Sequence, residues 1–361
     1  MNKNLFLLLL VIVLLGGFLV LSFLLPGNKI KVANEETNNL FKKINSEDQQ
    51  NILNSQTSPE VTLIAVGDIM LSRDVASTMK RHNDYKYPFL KTADLLKTAD
   101  ITFGNLECAI TPGKIIETNE MIFRADPQSV EGLNYAGFDI LSLANNHTMN
   151  FGKEGIENTF KYLNESNIKF VGAGNNLKEA FEPKIFEVNG LKIAFLAYAD
   201  NYLVPASYQA TENKPGIAFM NISKMQEDVK ATKEKANFVI VSMHAGVEYS
   251  KEPNKNQINF AYNAIDAGAD LVIGHHPHVV QKVEKYKNKY ILYSLGNFVF
   301  DQMWSMETRE GVIAKITFDK NGIKDIEFVP VLIENYSQPK ILDEKDPKSA
   351  EILLKLQMNF K

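Results

Sequence analysis

Asp68, Glu107, Asn146, His147, His244, His276 and His278 are the side chains of this sequence best suited to hold a divalent cation. They are scattered along the chain, yet each falls at or just past the end of an apolar run. Two carboxylates, an amide oxygen and several imidazoles make a mixed oxygen and nitrogen donor set, suited to Mn²⁺, Zn²⁺ or Fe²⁺. A bridging carboxylate can hold two such ions about 3.5–4 Å apart, where they clamp a phosphoryl oxygen and acidify a shared water. Taken singly, each residue also has a structural reading. Asp68 after Gly67 could be a turn or helix cap, the Asn145-Asn146-His147 run a turn, and His244 a hydrogen-bonded core histidine. Glu107 is harder to explain that way, since a buried unpaired carboxylate is costly. Spacing leaves open whether His275 or His276 is the donor; His276 is preferred because it alternates with His278, and alternate residues of an extended chain point to one side. Counting His275, five of the six histidines lie in this set, and only His82 lies outside it.

Other chemistries lack their residues. There is no GxSxG elbow, no GxxxxGK[ST] phosphate loop, and a single cysteine, Cys108, so neither a disulfide within the chain nor a thiolate cluster is expected. Cys108 reads as a small buried hydrophobe.

The elements that must position these side chains follow from the hydropathy pattern. Residues 61–68, 101–107, 138–147, 191–200, 237–246, 269–278 and 289–301 are near-continuous apolar runs ending in polar residues, and they predict buried strands. Helical periodicity lies between them at 89–98, 153–166, 224–236 and 257–267, with a further helix at 347–358. Strands alternating with helices predict an α/β domain, and ligands of such sheets bind at the carboxyl ends of the strands. Past His278 the pattern shifts to adjacent strands.

The chain has 361 residues, 45% apolar and 23% charged, with a net charge of −4. About 300 residues remain for the folded part, enough for one large core. Without a basic field, nucleic acid is not an expected partner, and an anionic substrate must be gripped locally. Leu5–Leu25 is an uninterrupted apolar or small run, long enough to span a bilayer of about 30 Å. No small-x-small cleavage site follows it, so residues 1–27 predict an uncleaved signal anchor and a single-pass membrane protein. Lys3 and the terminal amine balance Lys29 and Lys31, so charge does not fix its orientation. Residues 28–60 are polar and read as a linker holding the domain off the membrane.

GDIMLSR (67–73), GNLECAIT (104–111), ANNHTMNFG (144–152), HAGVEY (244–249), GADLVIGHHPHVVQ (268–281) and SLGNFVFDQ (294–302) together resemble the blocks of CapA-type proteins of poly-γ-glutamate capsule synthesis. The resemblance covers residues 60 to 335 and implies a calcineurin-like metallophosphoesterase fold, a four-layer α-β-β-α sandwich over residues 61–335 with 336–361 as a helical extension. It implies two divalent ions, an extracytoplasmic domain, and as partners the membrane-bound synthase subunits and poly-γ-glutamate itself. Carried over by motif, Asp68 matches the first metal-binding aspartate, Glu107 stands at the bridging carboxylate, and Asn146 matches the metal-binding asparagine. His244 and His276 resemble ligands of one ion and His278 of the other. His147 resembles the acid that protonates a leaving group after hydroxide attack. Asn297 and Glu248 lie in the motifs without an assigned role.

Three positions depart from the wider pattern. The first block reads Asp68-Ile69-Met70 where Asp-x-His is usual, so one ion loses an imidazole; Asn150 replaces an aspartate and Ala245 a tryptophan. Competing readings are therefore a metal-dependent hydrolase serving capsule formation, a non-catalytic accessory or polymer-binding subunit of a capsule synthase, and a surface metallophosphatase unrelated to capsule.

Overall fold

The computed structural model describes residues 59–356 and the backbone of residues 359 and 360. The anchor expected at 1–27 and nearly all of the linker expected at 28–60 lie outside the described residues; within them, no helix is long and apolar enough to cross a membrane.

The chain first lays down β1 (Val61–Ile69), β2 (Ile101–Leu106), β3 (Ile140–Ser142) and β4 (Lys169–Val171). It then builds a second sheet from β5 (Lys184–Val188), β6 (Leu191–Ala199), β7 (Phe238–His244), β8 (Leu271–His275), β9 (Val283–Tyr286) and β10 (Lys289–Leu292). It returns to the first sheet with β11 (Asn297–Val299), β12 (Glu310–Asp319), β13 (Gly322–Glu334) and β14 (Gln338–Ile341), and β15 (Asn359–Phe360) ends in the second. The first sheet runs β14-β13-β12-β1-β2-β3-β4, with β11 pairing to β1 off that path, and the second runs β15-β9-β10-β8-β7-β6-β5. Both are mixed: β1 to β4 are parallel neighbours and β12 to β14 antiparallel, while β6, β7, β8 and β10 are parallel with antiparallel β5 and β9 outside them.

Period-two burial explains how the sheets pack. On β6, Ile193, Phe195 and Ala197 join the core shared with the first sheet. The alternate residues Ala194, Leu196 and Tyr198 pack with Met225 and Val229 of α4 and Phe260 and Ala264 of α5. Between the sheets Phe103 stacks on Phe195 at 5.5 Å. The longer helices are α1 (Arg73–His82), α2 (Val130–Ala136), α3 (Gly152–Glu165), α4 (Ile222–Lys233), α5 (Lys255–Ala267) and α6 (Pro347–Lys355). Apolar residues of α1, α2 and α3 join the first sheet's core. This is a mixed α/β fold with two sheets back to back.

Three sequence expectations change. The run 289–301 is not one strand: β10 and β11 belong to different sheets, and the chain crosses between them through Gly296, at φ +71°. The fold also runs past residue 335, because β14 pairs with β13, and Lys348 and Lys355 of α6 both bind the buried carboxylate of Glu310. The expected helix at 89–98 is a 3₁₀ turn at Tyr87–Phe89 and a single helical turn at Ala93–Leu96.

The crossover is possible because Gly67 has no side chain: a Cβ there would collide with the Gly296 carbonyl oxygen, which accepts the Asp68 N–H at 3.1 Å. Gly67→Ala should lower unfolding stability by about 1–3 kcal/mol, the usual cost of overpacking, measured by urea denaturation beside the exposed control Lys230→Ala. An unchanged midpoint would show that the crossover is not tightly packed.

Candidate metal centre

Register brings the chemical residues together. In the first sheet Asp68 lies opposite Asn105 on β2 and opposite Asn297 on β11. Glu107 follows β2 directly, and Asn146 and His147 follow β3. In the second sheet His244 and His275 are paired as the last residues of β7 and β8, and His276 and His278 follow. The carboxyl ends of both sheets therefore meet at one place. Asp68, Glu107, His147, His244, His275, His276 and His278 are all buried there, with Asn146 half-buried.

Asp68 is the node. Its Oδ1 accepts the Asn105 amide at 2.8 Å, and its Oδ2 accepts the His276 N–H at 3.3 Å from the other sheet. Nδ1 of His275 lies 3.2 Å from Oδ1, and Nδ1 of His278 lies 3.3 Å from Oδ2. Burial acts to raise the Asp68 carboxyl, but His275 and His278 overcome it and hold the group well below the ordinary carboxylate range. Burial does prevail at Glu107, which is pushed well above its ordinary value. Burial also works against charge on His278, yet the Glu107 and Asp68 carboxylates lift it to about 9.

The donor atoms fall into two close sets, each spanning no more than 4.8 Å: Asp68, Glu107 and His244 in one, Glu248, His276 and His278 in the other. Oδ1 of Asn146 lies 2.9 Å from Nε2 of His244, beside the first set. All the metal donors expected from sequence are thus at one locus, with His276 rather than His275 in a donor set. His275 is packed behind Asp68 against Phe103. His276 groups with His278, although the resemblance implies different ions for the two. Oε1 of Glu107 and Nδ1 of His276 are buried with no hydrogen-bond partner among the described residues. Such atoms are expensive unless something is bound to them, and a buried carboxylate oxygen and a buried ring nitrogen without partners are donors that fit a divalent cation.

His147 sits at the edge of this cluster. Its Nδ1 donates to Oδ1 of Asn150 at 2.8 Å, an oxygen that also accepts the Phe123 N–H, so Nε2 is left facing Oε1 of Glu107 at 3.8 Å. Phe123 stacks on the ring at 3.8 Å, and the guanidinium of buried Arg73 lies 4.6 Å over the Phe123 ring, held by Asp301. Burial pushes His147 down to about 3.

Sequence reasoning missed Asn105, which ties Asp68 to Glu107 (3.3 Å) and reaches Nδ1 of His244 at 3.3 Å. Its place two residues before Glu107, on the same side of an extended chain, is the signal that could have found it. Asn297 also gains a role: its Oδ1 contacts Nδ1 of His278 at 2.9 Å.

These shifts set the pH dependence of the metal-free fold. Burial holds both His147 and His276 down to about 3, below the ordinary histidine value of about 6.5. Between those values the unfolded chain binds more protons than the native one, so stability must fall as pH drops through that window. His278, raised to about 9, acts oppositely: its contribution is complete below about 6.5 and is lost as pH rises toward 9. In EDTA, Tm should fall steeply from pH 6.5 to 4, and His276→Asn should flatten that limb. Glu107, pushed above its ordinary value, acts oppositely in both chains, so an acid limb as steep in His276→Asn as in the wild type would contradict the buried, neutral imidazole.

The family described as bacterial capsule synthesis protein PGA_cap matches residues 62–302. The capsule biosynthesis protein CapA of Bacillus anthracis is 33% identical over 299 residues, covering 80% of this chain and 71% of that one. The PGA biosynthesis protein CapA of Bacillus subtilis is 34% identical over 270 residues, covering 74% and 70%. Among solved structures, the calcineurin-like phosphoesterase YfkN of Bacillus subtilis aligns over 78% of this chain and 94% of that one, at 13% identity and a TM-score of 0.46. With two thirds of its length matched by the family and the buried centre inside that span, this chain belongs to the bacterial capsule synthesis protein PGA_cap family.

Proposed function

We propose that this chain serves poly-γ-glutamate capsule synthesis as a membrane-anchored, extracytoplasmic metal-dependent hydrolase of the metallophosphoesterase type. The observation that carries the reading is the convergence of Asp68, Glu107, His244, His276 and His278 at the meeting edge of two sheets, with buried donor atoms left unpartnered. The apolar run Leu5–Leu25 and the family relatives support the placement at the membrane and the link to the polymer. Synthase subunits and the polymer are the partners this reading implies.

When bound there, divalent ions would supply Lewis acidity and an acidified water. Asp68, Glu107, Asn146, His244, His276 and His278 would hold them, and Asn105 would fix the two carboxylates. His147 holds or moves a proton at Nε2, in a tautomer set by Asn150. An imidazole held near 3 is a poor proton reservoir at neutral pH. Its acid role therefore depends on an anionic substrate raising it, because Asn150 offers no charge where an aspartate would.

Metal analysis of the purified chain, with turnover of a generic phosphodiester, tests the reading. Bound Mn, Fe or Zn with turnover that falls about 10²–10⁴-fold in His147→Ala is expected. Asn150→Asp should raise turnover at pH 7, since the carboxylate keeps both hydrogen bonds and stabilises an imidazolium. In a host lacking the gene, Asp68→Ala should fail to restore surface polyglutamate.

The missing first-block imidazole and the Asn150 amide favour a second reading, an accessory subunit whose site binds metal or polymer carboxylates without chemistry. Bound metal with no turnover on any phosphoester, together with polymer restored by His147→Ala, would select it.

A further inference from the structure

Resting on the metal-site reading above, we propose that Glu248 is itself a metal ligand, an oxygen donor that joins His276 and His278 in a centre whose first block lacks its imidazole. Met70 occupies the position of that imidazole, and its sulfur is engaged elsewhere: Sδ accepts the Ser72 N–H at 3.0 Å. A thioether is in any case a poor donor for a hard or borderline ion. The deficit is real unless another residue fills it.

Glu248 arrives from the other sheet. It lies in the segment after β7, and one of its carboxylate oxygens sits with ring nitrogens of His276 and His278, all within 4.8 Å of one another. Donors on opposite sides of an ion bound at ~2.1 Å are ~4.2 Å apart, so small side-chain shifts would close this set around a cation. Nδ1 of His276, only 3% exposed, has no hydrogen-bond partner among the described residues.

The backbone is built to hold this arrangement. The Ala245 N–H donates to the His275 carbonyl at 3.1 Å and the Tyr249 N–H to the Pro277 carbonyl at 2.8 Å, lacing the segment carrying Glu248 to the segment carrying the histidines. Three non-glycine residues in these two segments adopt the left-handed region: Tyr249 at φ +64°, His276 at +98° and His278 at +57°. Such residues are strained, and clusters of them persist where a site over-determines them. Nearby cations are committed elsewhere: Lys251 to Glu307 at 3.3 Å, and Arg73 to Asp301. A carboxylate replacing an imidazole makes the donor set harder and moves its preference toward ions such as Mn²⁺.

The test is Mn²⁺ binding by the full chain after chelator treatment, read as bound equivalents by mass spectrometry and as the electron paramagnetic resonance spectrum. The wild type should bind two ions and show a spin-coupled spectrum. Glu248→Gln should lose one equivalent, or bind it at least tenfold more weakly, and show the six-line spectrum of isolated Mn²⁺. Glu248→Asp should keep both ions with weakened affinity. Circular dichroism of the metal-free variants should match the wild type, since Glu248 is only half-buried. Two ions bound with unchanged affinity in Glu248→Gln overturn the assignment of Glu248 and leave the metal centre standing. A wild type that binds no Mn²⁺, Zn²⁺ or Fe²⁺ overturns the metal centre, and this inference with it.

Discussion

One buried carboxylate joins the two halves of this protein. Asp68 takes an amide hydrogen from Asn105 in its own sheet and a backbone N–H from His276 in the other, with two imidazoles beside it. An isolated ionised carboxylate at full burial would cost far more than a protein's net stability margin. Its partners keep it charged, and those partners come from two chain segments, one in each sheet. Gly67 and the crossover at Gly296 allow the strands to approach closely enough for this to happen. The packing of the sheets and the assembly of the centre are thus one constraint.

Much of the centre was legible because chemistry fell at a repeated position. Each expected donor stood where an apolar run ended, and strand ends of an α/β sheet converge whichever strands pair. Pairing itself was hidden. The hydropathy of the run 289–301 does not signal that it serves two sheets, since both halves are apolar and the chain crosses at Gly296, where φ is positive. Asn105 and Glu248 escaped a role for a related reason: their importance lies in what faces them, across a strand pair in one case and across two laced segments in the other. The expected helix at 89–98 broke into shorter turns, Pro88 standing at the start of the first.

The surroundings of His147 show how a single amide can retune a site without moving it. Asn150 keeps the geometry that a carboxylate would give, including the bond to the Phe123 backbone. It withholds the charge. Phe123, stacked on the imidazole and itself covered by the Arg73 guanidinium, further excludes water. The ring is held firmly and kept neutral.

The position of β1 also constrains how the molecule is made. It is laid down first among the described strands, yet it lies between β2 and β12, and β11 pairs to its carboxyl end. A chain emerging from its amino terminus can form β1 to β4 early, but one flank of β1 stays open until nearly the whole domain has appeared. Such distant pairings give a high contact order and slow closure, and an unsatisfied strand flank is exposed to wrong partners in the meantime. The same delay means that Asp68 meets His276 only late. The cluster of donors around Asp68 is therefore finished only when the fold is, and the growing chain holds its carboxylates and imidazoles apart until then.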